Sequence, residues 1–265
     1  MKHLPSYQRS KMNDDSRLNE WFVPKFGPQR FRMFCGMLFL PYTGMCISFV
    51  VWGSLIADTI FLERIAILAL IYFVALGIGA HVADNIGSKK IKPWGDLFSK
   101  RQSWIIILAC LGFSYGLGLY YALLYAPLLA FIGIIEGFFL FAYNFELFKG
   151  KFHKNYWFAL SWGMLPFLAG FVLQTNTITS ISLFLSLIPF MLSYMEIRIS
   201  RLYKNNKRNN SKTMTTYQYE LLLKLLSIGT ISLTFIFLLV SSILAQKATF
   251  NDLFLLPLGL GFFKN

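Results

Sequence analysis

The sequence predicts an all-α protein, a polytopic transmembrane helical bundle of seven to eight spans with a cytoplasmic N-terminus, and three observations lead there. Of the 265 residues, 56% are hydrophobic and only 14% charged, and the mean hydropathy is +0.55, outside the range of ordinary globular domains. The apolar residues gather in runs near the roughly 20 residues that one membrane-crossing helix needs. The basic residues stand in short segments between those runs. A formal charge of +13 would suggest nucleic acid in a soluble protein. Lipid topology accounts for it better here, so the expected partners are membrane lipids and no nucleic acid.

Residues 1–30 read as a polar lead with no apolar core of a cleavable signal, so the first span itself must direct insertion. The end of the lead, Trp21 to Pro28, mixes aromatic residues with two prolines and a lysine and is expected at the membrane interface. Residues 31–265 are expected to form one transmembrane domain. The first span runs from about Met33 to Ala57, and Pro41 predicts a kink in it. Asp58 and Glu63 mark a short outer loop before a second span, about Ile65 to Ala83.

The apolar region from Trp104 to Phe145 is twice the length of one span and must fold as two helices, with the turn near Tyr120 to Pro127. A fifth span covers about Trp157 to Leu173 and turns through Gln174 to Thr177. The sixth, about Ile178 to Met195, feeds the longest polar loop, Glu196 to Gln218, and the seventh covers about Leu221 to Ala245. The last apolar piece, Leu253 to Phe263, is short and is read as an eighth, partial or re-entrant helix.

Orientation follows from where the lysines and arginines fall. The lead to Arg32 holds seven, the second-to-third loop five, the fourth-to-fifth loop three and the sixth-to-seventh loop six, together 21 of the chain's 25. All four segments fall on one side of the span count, which the positive-inside rule makes cytoplasmic. The chain is therefore expected in the cell membrane with its basic loops cytoplasmic.

Chemistry is most concentrated between Gly77 and Arg101, where the second span ends. His81, Asp84 and Asn85, three and four residues apart, share one helix face as it leaves the hydrocarbon. Lys89, Lys90, Lys92, Lys100 and Arg101 follow, a set able to neutralise a phosphate or diphosphate. A solvated helix end with a positive-inside loop explains the same residues without a ligand. Ionisable residues within spans are costly and therefore functional candidates, and Glu136 is the clearest of them. Tyr143 and Asn144, seven and eight residues on, fall on its helix face. A structural glutamate hydrogen-bonded between helices is the competing reading.

A histidine–carboxylate set of His81, Asp84 and acids from the fourth helix could take a transition metal, whereas Asp84 with Asn85 and a diphosphate would suit magnesium. Cys35, Cys46 and Cys110 lie in apolar runs without paired spacing and read as small core residues. Gly112, Gly116 and Gly118 are expected to let helices pack closely. No nucleophile triad, zinc-finger spacing, Walker loop or GxGxxG is present.

Taken together, Leu40 to Gly44 in the first span, an aspartate where the second span meets a basic loop, Phe148 to Lys151 after the fourth span and Trp162 to Pro166 in the fifth resemble the UbiA superfamily of intramembrane prenyltransferases. The resemblance covers about Arg30 to Arg201. It implies a helical bundle open to the cytoplasm, in which two aspartate-rich motifs, after the second and sixth spans, hold Mg2+ and a prenyl diphosphate. The allyl cation formed by ionisation is then captured by a lipophilic acceptor. Asp84 matches the first aspartate of the first motif, but Ala80 stands where an asparagine is expected and Ser88 where a second aspartate is expected. After the sixth span the sequence offers Glu196 and Arg198 rather than an aspartate pair.

The resemblance implies Asp84, Lys149 and Lys151 as catalytic residues and Asp84 with Glu196 as metal ligands. Substrate would lie against His81, Asn85, Lys89, Lys90, Glu136, Asn144 and Arg198. The expected function is a divergent membrane prenyltransferase. The alternative is a non-catalytic isoprenoid- or lipid-binding relative, or a membrane-complex subunit, suggested by the missing motif carboxylates. Transport through a cavity at Glu136 would call for an inverted repeat, and none is evident.

Overall fold

The computed structural model describes residues 17–87, 97–208 and 214–255, and every regular element in them is helical. Among the described residues, six helices are long and apolar enough to cross a membrane, which is compatible with a multi-pass membrane protein. The first is broken into α1 (Gln29–Met37) and α2 (Leu40–Leu55). The others are α3 (Leu62–Gly87), α4 (Lys100–Leu124), α6 (Asn155–Thr175), α7 (Ser180–Lys207) and α8 (Met214–Leu255), the apolar part of the last ending at Leu244. Between α4 and α6 lies α5 (Leu128–Asn144), apolar but only 17 residues long.

Local chemistry sets the boundaries. Ser99 and Thr179 start α4 and α7 with reciprocal capping boxes to Gln102 and Ser182, which satisfy first-turn donors. Asn176, with φ of 52°, ends α6 in the left-handed conformation that asparagine tolerates. The predicted kink at Pro41 is a full break three residues earlier. Leu38 and Phe39 leave the helix, Phe39 adopts φ of 45°, and Pro41 sits in the first turn of α2, where its missing N–H costs nothing.

The sixth and seventh spans run further than the sequence suggested. Helical backbone continues through Glu196 to Arg208 and resumes at Met214, so the long polar loop expected from Glu196 to Gln218 is a helix extension with a short connection. The polar residues there recur with a helical period, as in the amphipathic end of a long helix. Of the proposed eighth helix, residues 253–255 belong to α8 and the remainder lies outside the described residues, as do Lys89 and Lys90.

Helix α6 is the centre of the bundle, buried without interruption from Leu165 to Gln174. Its Gly170 lies against the Val50 carbonyl of α2, and Gly53 of α2 against the Phe167 carbonyl of α6, so neither position has room for a Cβ. The two backbones therefore touch, as small residues permit in membranes. Gly163 against Pro189 does the same for α6 and α7. The glycines expected to serve this purpose do not: a Cβ on Gly112 or Gly116 would meet nothing within 4 Å, and one on Gly118 would only touch Ile71 at 3.8 Å.

Cross-contacts define two ends. At one, Arg64 stacks on Phe61 and Tyr125 at 4.0 and 4.3 Å and donates to the Leu173 carbonyl at 3.0 Å, while the Leu128 amide donates to Asn176 Oδ1 at 3.2 Å. At the other, the end of the lead packs against the bundle. Val23 is buried, Lys207 pairs with Glu20 at 3.4 Å, and Lys224 lies over the Trp21 ring. Burial pushes the Lys25 ammonium down, with Lys207 and Arg32 adding repulsion.

Candidate functional site

Two of the helices contain π segments, Phe73–Ala80 in α3 and Leu160–Met164 in α6. Such segments are rare, and they mark functional sites often. In α6 the buried Pro166 follows directly; having no N–H, it cannot close the α-helical bond to Trp162, which favours the wider turn. The segments end at His81 and carry Trp162, and these two rings meet at 5.5 Å.

His81 anchors the site. Its Nδ1 lies 2.9 Å from the Gly77 carbonyl, and its ring stacks on Phe39, 4.6 Å between centroids and 19° between planes. Trp162 stacks in turn on Phe158, which touches Tyr143, which stacks on His153 at 4.4 Å. A continuous aromatic wall thus runs from the break in the first span to the loop after α5.

Charged groups face this wall from two helices. Asp84 stands one turn beyond His81 on α3, partly exposed, and Glu196 is buried on α7. Arg201, one turn further along α7, donates to the Tyr143 hydroxyl at 3.5 Å and to the His153 carbonyl at 3.5 Å. Asp84, Glu196 and Arg201 all lie within electrostatic reach of the Tyr143 hydroxyl. At the end of the bundle where the lead docks, one guanidinium thus touches the Tyr143 phenol, and two carboxylates stand within longer electrostatic range of it.

The other expected site residues are placed differently. Arg198 is exposed, whereas Arg201, three residues on, is half-buried and reaches Tyr143. Asn144 donates to the Leu140 carbonyl at 2.8 Å within its own helix. Asn85 is buried, close to where Gly87 packs on the Asn144 carbonyl. Lys149 and Lys151 are exposed in an irregular turn in which Phe148 and Lys149 are left-handed. Sequence reasoning passed over Arg201 and His153 as site residues.

Glu136 is not part of this group. It lies seven residues below Tyr143, about 10 Å along the helix. Its Oε1 accepts from the Tyr72 hydroxyl at 3.1 Å and its Oε2 from the Ser161 hydroxyl at 2.8 Å. Tyr72 immediately precedes one π segment and Ser161 lies in the other, so this carboxyl ties the two irregular stretches together.

Asp84 and Glu196 offer oxygen donors of the kind magnesium takes when phosphate oxygens and water complete its shell. Among the described residues, no group of three or more histidine, cysteine, aspartate or glutamate side chains comes together that could hold a metal ion. A transition-metal site of His81, Asp84 and fourth-helix acids is therefore not assembled within them. No protein-family model, curated protein or solved structure matches the chain.

Proposed function

We propose that the chain is a seven-span protein of the cell membrane, with its N-terminus and basic loops cytoplasmic, acting as a divergent UbiA-like prenyltransferase. In this reading it moves a prenyl group from a prenyl diphosphate to a lipophilic acceptor. The observation that carries the reading is that Arg201 of α7 donates to the Tyr143 hydroxyl while Asp84 of α3 and Glu196 of α7 lie within electrostatic reach of it. Those are the helix ends on which the resembling family carries its two acidic motifs. Seven spans are supported by α5, whose 17 residues cover about 26 Å. Its first residue bonds Asn176 at one end of the bundle, and its last packs on Gly87 at the other.

The diphosphate lies at the mouth, drawn in by the exposed Lys149 and Lys151. Arg201 neutralises its charge with oriented N–H donors. The bond between the first prenyl carbon and the diphosphate oxygen breaks, and the electron pair leaves with the diphosphate. The allyl cation lies against the faces of Phe39, Trp162 and Phe158, whose quadrupoles favour a cation. The acceptor's nucleophilic atom bonds the carbon and releases its proton to water. Magnesium, when bound with the diphosphate, supplies charge neutralisation, with Asp84 and Glu196 as the residues that would hold it.

The second reading, a non-catalytic isoprenoid-binding relative or complex subunit, is favoured by the lack of a three-ligand metal group among the described residues. Diphosphate release from a labelled prenyl diphosphate by purified protein separates the two. Release that is lost in Arg201→Met supports the transferase. Stable binding of the donor without release supports the non-catalytic reading.

A further inference from the structure

A cavity of about 260 Å3 lies between α3, α4 and α5, lined almost wholly by apolar side chains, with Glu136 in its wall. Small residues hollow it out, among them Ala75, Gly118 and Gly133. On its flank Leu119 is 53% exposed and Ile134 66%, so it opens sideways between α4 and α5 at the depth of the apolar belt. A ligand reaching it comes from the bilayer and not from water.

Glu136 gives the cavity its one acidic group. The carboxyl keeps acceptor capacity beyond the two positions that Tyr72 and Ser161 occupy. The residue is half-buried and lines the cavity. A plain hydrocarbon tail would leave those acceptors unpaired in apolar surroundings, which is unfavourable. A hydroxyl group satisfies them.

We propose that this cavity binds a small lipophilic alcohol or phenol drawn from the bilayer, its hydroxyl donating to Glu136 and its apolar body lying between α4 and α5. The volume is roughly nine water-sized spaces, enough for a molecule with about that many heavy atoms. This inference is independent of the prenyl-transfer reading, because Glu136 stands two helical turns from Tyr143.

The test uses the full chain in phosphatidylcholine nanodiscs, the photoreactive alcohol 3-azioctanol as probe, and peptide mapping of the adducts. Adducts are expected on the segments carrying Tyr72, Tyr115 and Glu136. 1-Octanol should protect them at a bilayer mole fraction about fivefold lower than n-octane does, the difference being one hydrogen bond. Gly133→Leu fills the cavity without touching the carboxyl; a Cβ there meets Tyr115 only at 3.8 Å. It should abolish these adducts and leave labelling elsewhere unchanged. Equal protection by octane and octanol, stronger protection by octylamine than by octanol, or undiminished labelling in Gly133→Leu would overturn the proposal. If Gly133→Leu does not fold, the octanol and octane comparison on the wild type decides alone.

Discussion

The ring of Phe39 lies flat on the imidazole of His81, 4.6 Å between centroids. That one contact joins the break in the first span to the end of the π segment in the second. Asp84 stands one turn beyond His81 on α3, within electrostatic reach of Tyr143. Phe39 is the more constrained partner, because φ of 45° is unfavourable for any residue with a Cβ.

Two substitutions separate the ring from the backbone. Phe39→Ala removes a buried aromatic and keeps the strain, so it should destabilise the protein by about 3 kcal/mol. Phe39→Gly loses the same ring but relieves the backbone, and should be about 1 kcal/mol more stable than the alanine variant. Thermal unfolding in one detergent, both variants beside wild type, checks the order.

Glycine substitutions test where the helices touch. Gly53→Ala and Gly170→Ala push a methyl group into a carbonyl across the α2 and α6 contact and should each cost about 1–3 kcal/mol. Gly112→Ala and Gly116→Ala enter open space and should be neutral or slightly stabilising. Thermal unfolding distinguishes the two groups.

Arg64 closes the end opposite the candidate site through two ring stacks and two carbonyl contacts. Lysine cannot reproduce a planar guanidinium fork. Arg64→Lys should lower stability by about 1–2 kcal/mol while leaving prenyl diphosphate affinity unchanged, as measured by unfolding and by ligand titration of the same sample.

The two arginines of α7 should behave oppositely. Arg201→Met removes the donor that faces Tyr143 and should weaken prenyl diphosphate binding about tenfold or more. Arg198→Met alters an exposed residue and should bind as wild type does. Equilibrium binding with a labelled donor tells them apart.

The first five helical stretches were legible in the sequence, because an apolar run of about 20 residues needs no partner to be read. The turn near Tyr120 to Pro127 is found at 125–127, and the fifth span within Asn155–Thr175. The continuation of α7 through Glu196 was hidden, since its polar residues resemble a loop until their 3.6-residue period is followed. That period does not separate Arg201 from Arg198, which stand three residues apart; their difference in burial is set by packing. The break at Phe39 and the π segments carry no residue pattern of their own and depend on packing, although Pro41 and Pro166 stand beside two of the three irregularities. Asp84 was visible as an acid at a span end, but its lying within electrostatic reach of Tyr143 depends on tertiary packing.

Binding of geranylgeranyl diphosphate to detergent-purified protein, with and without magnesium and for wild type beside Asp84→Ala, tests the central claim most directly. The account predicts saturable binding that needs magnesium and weakens at least tenfold in Asp84→Ala. Equal binding by Asp84→Ala, or no binding by a folded wild type, would contradict it.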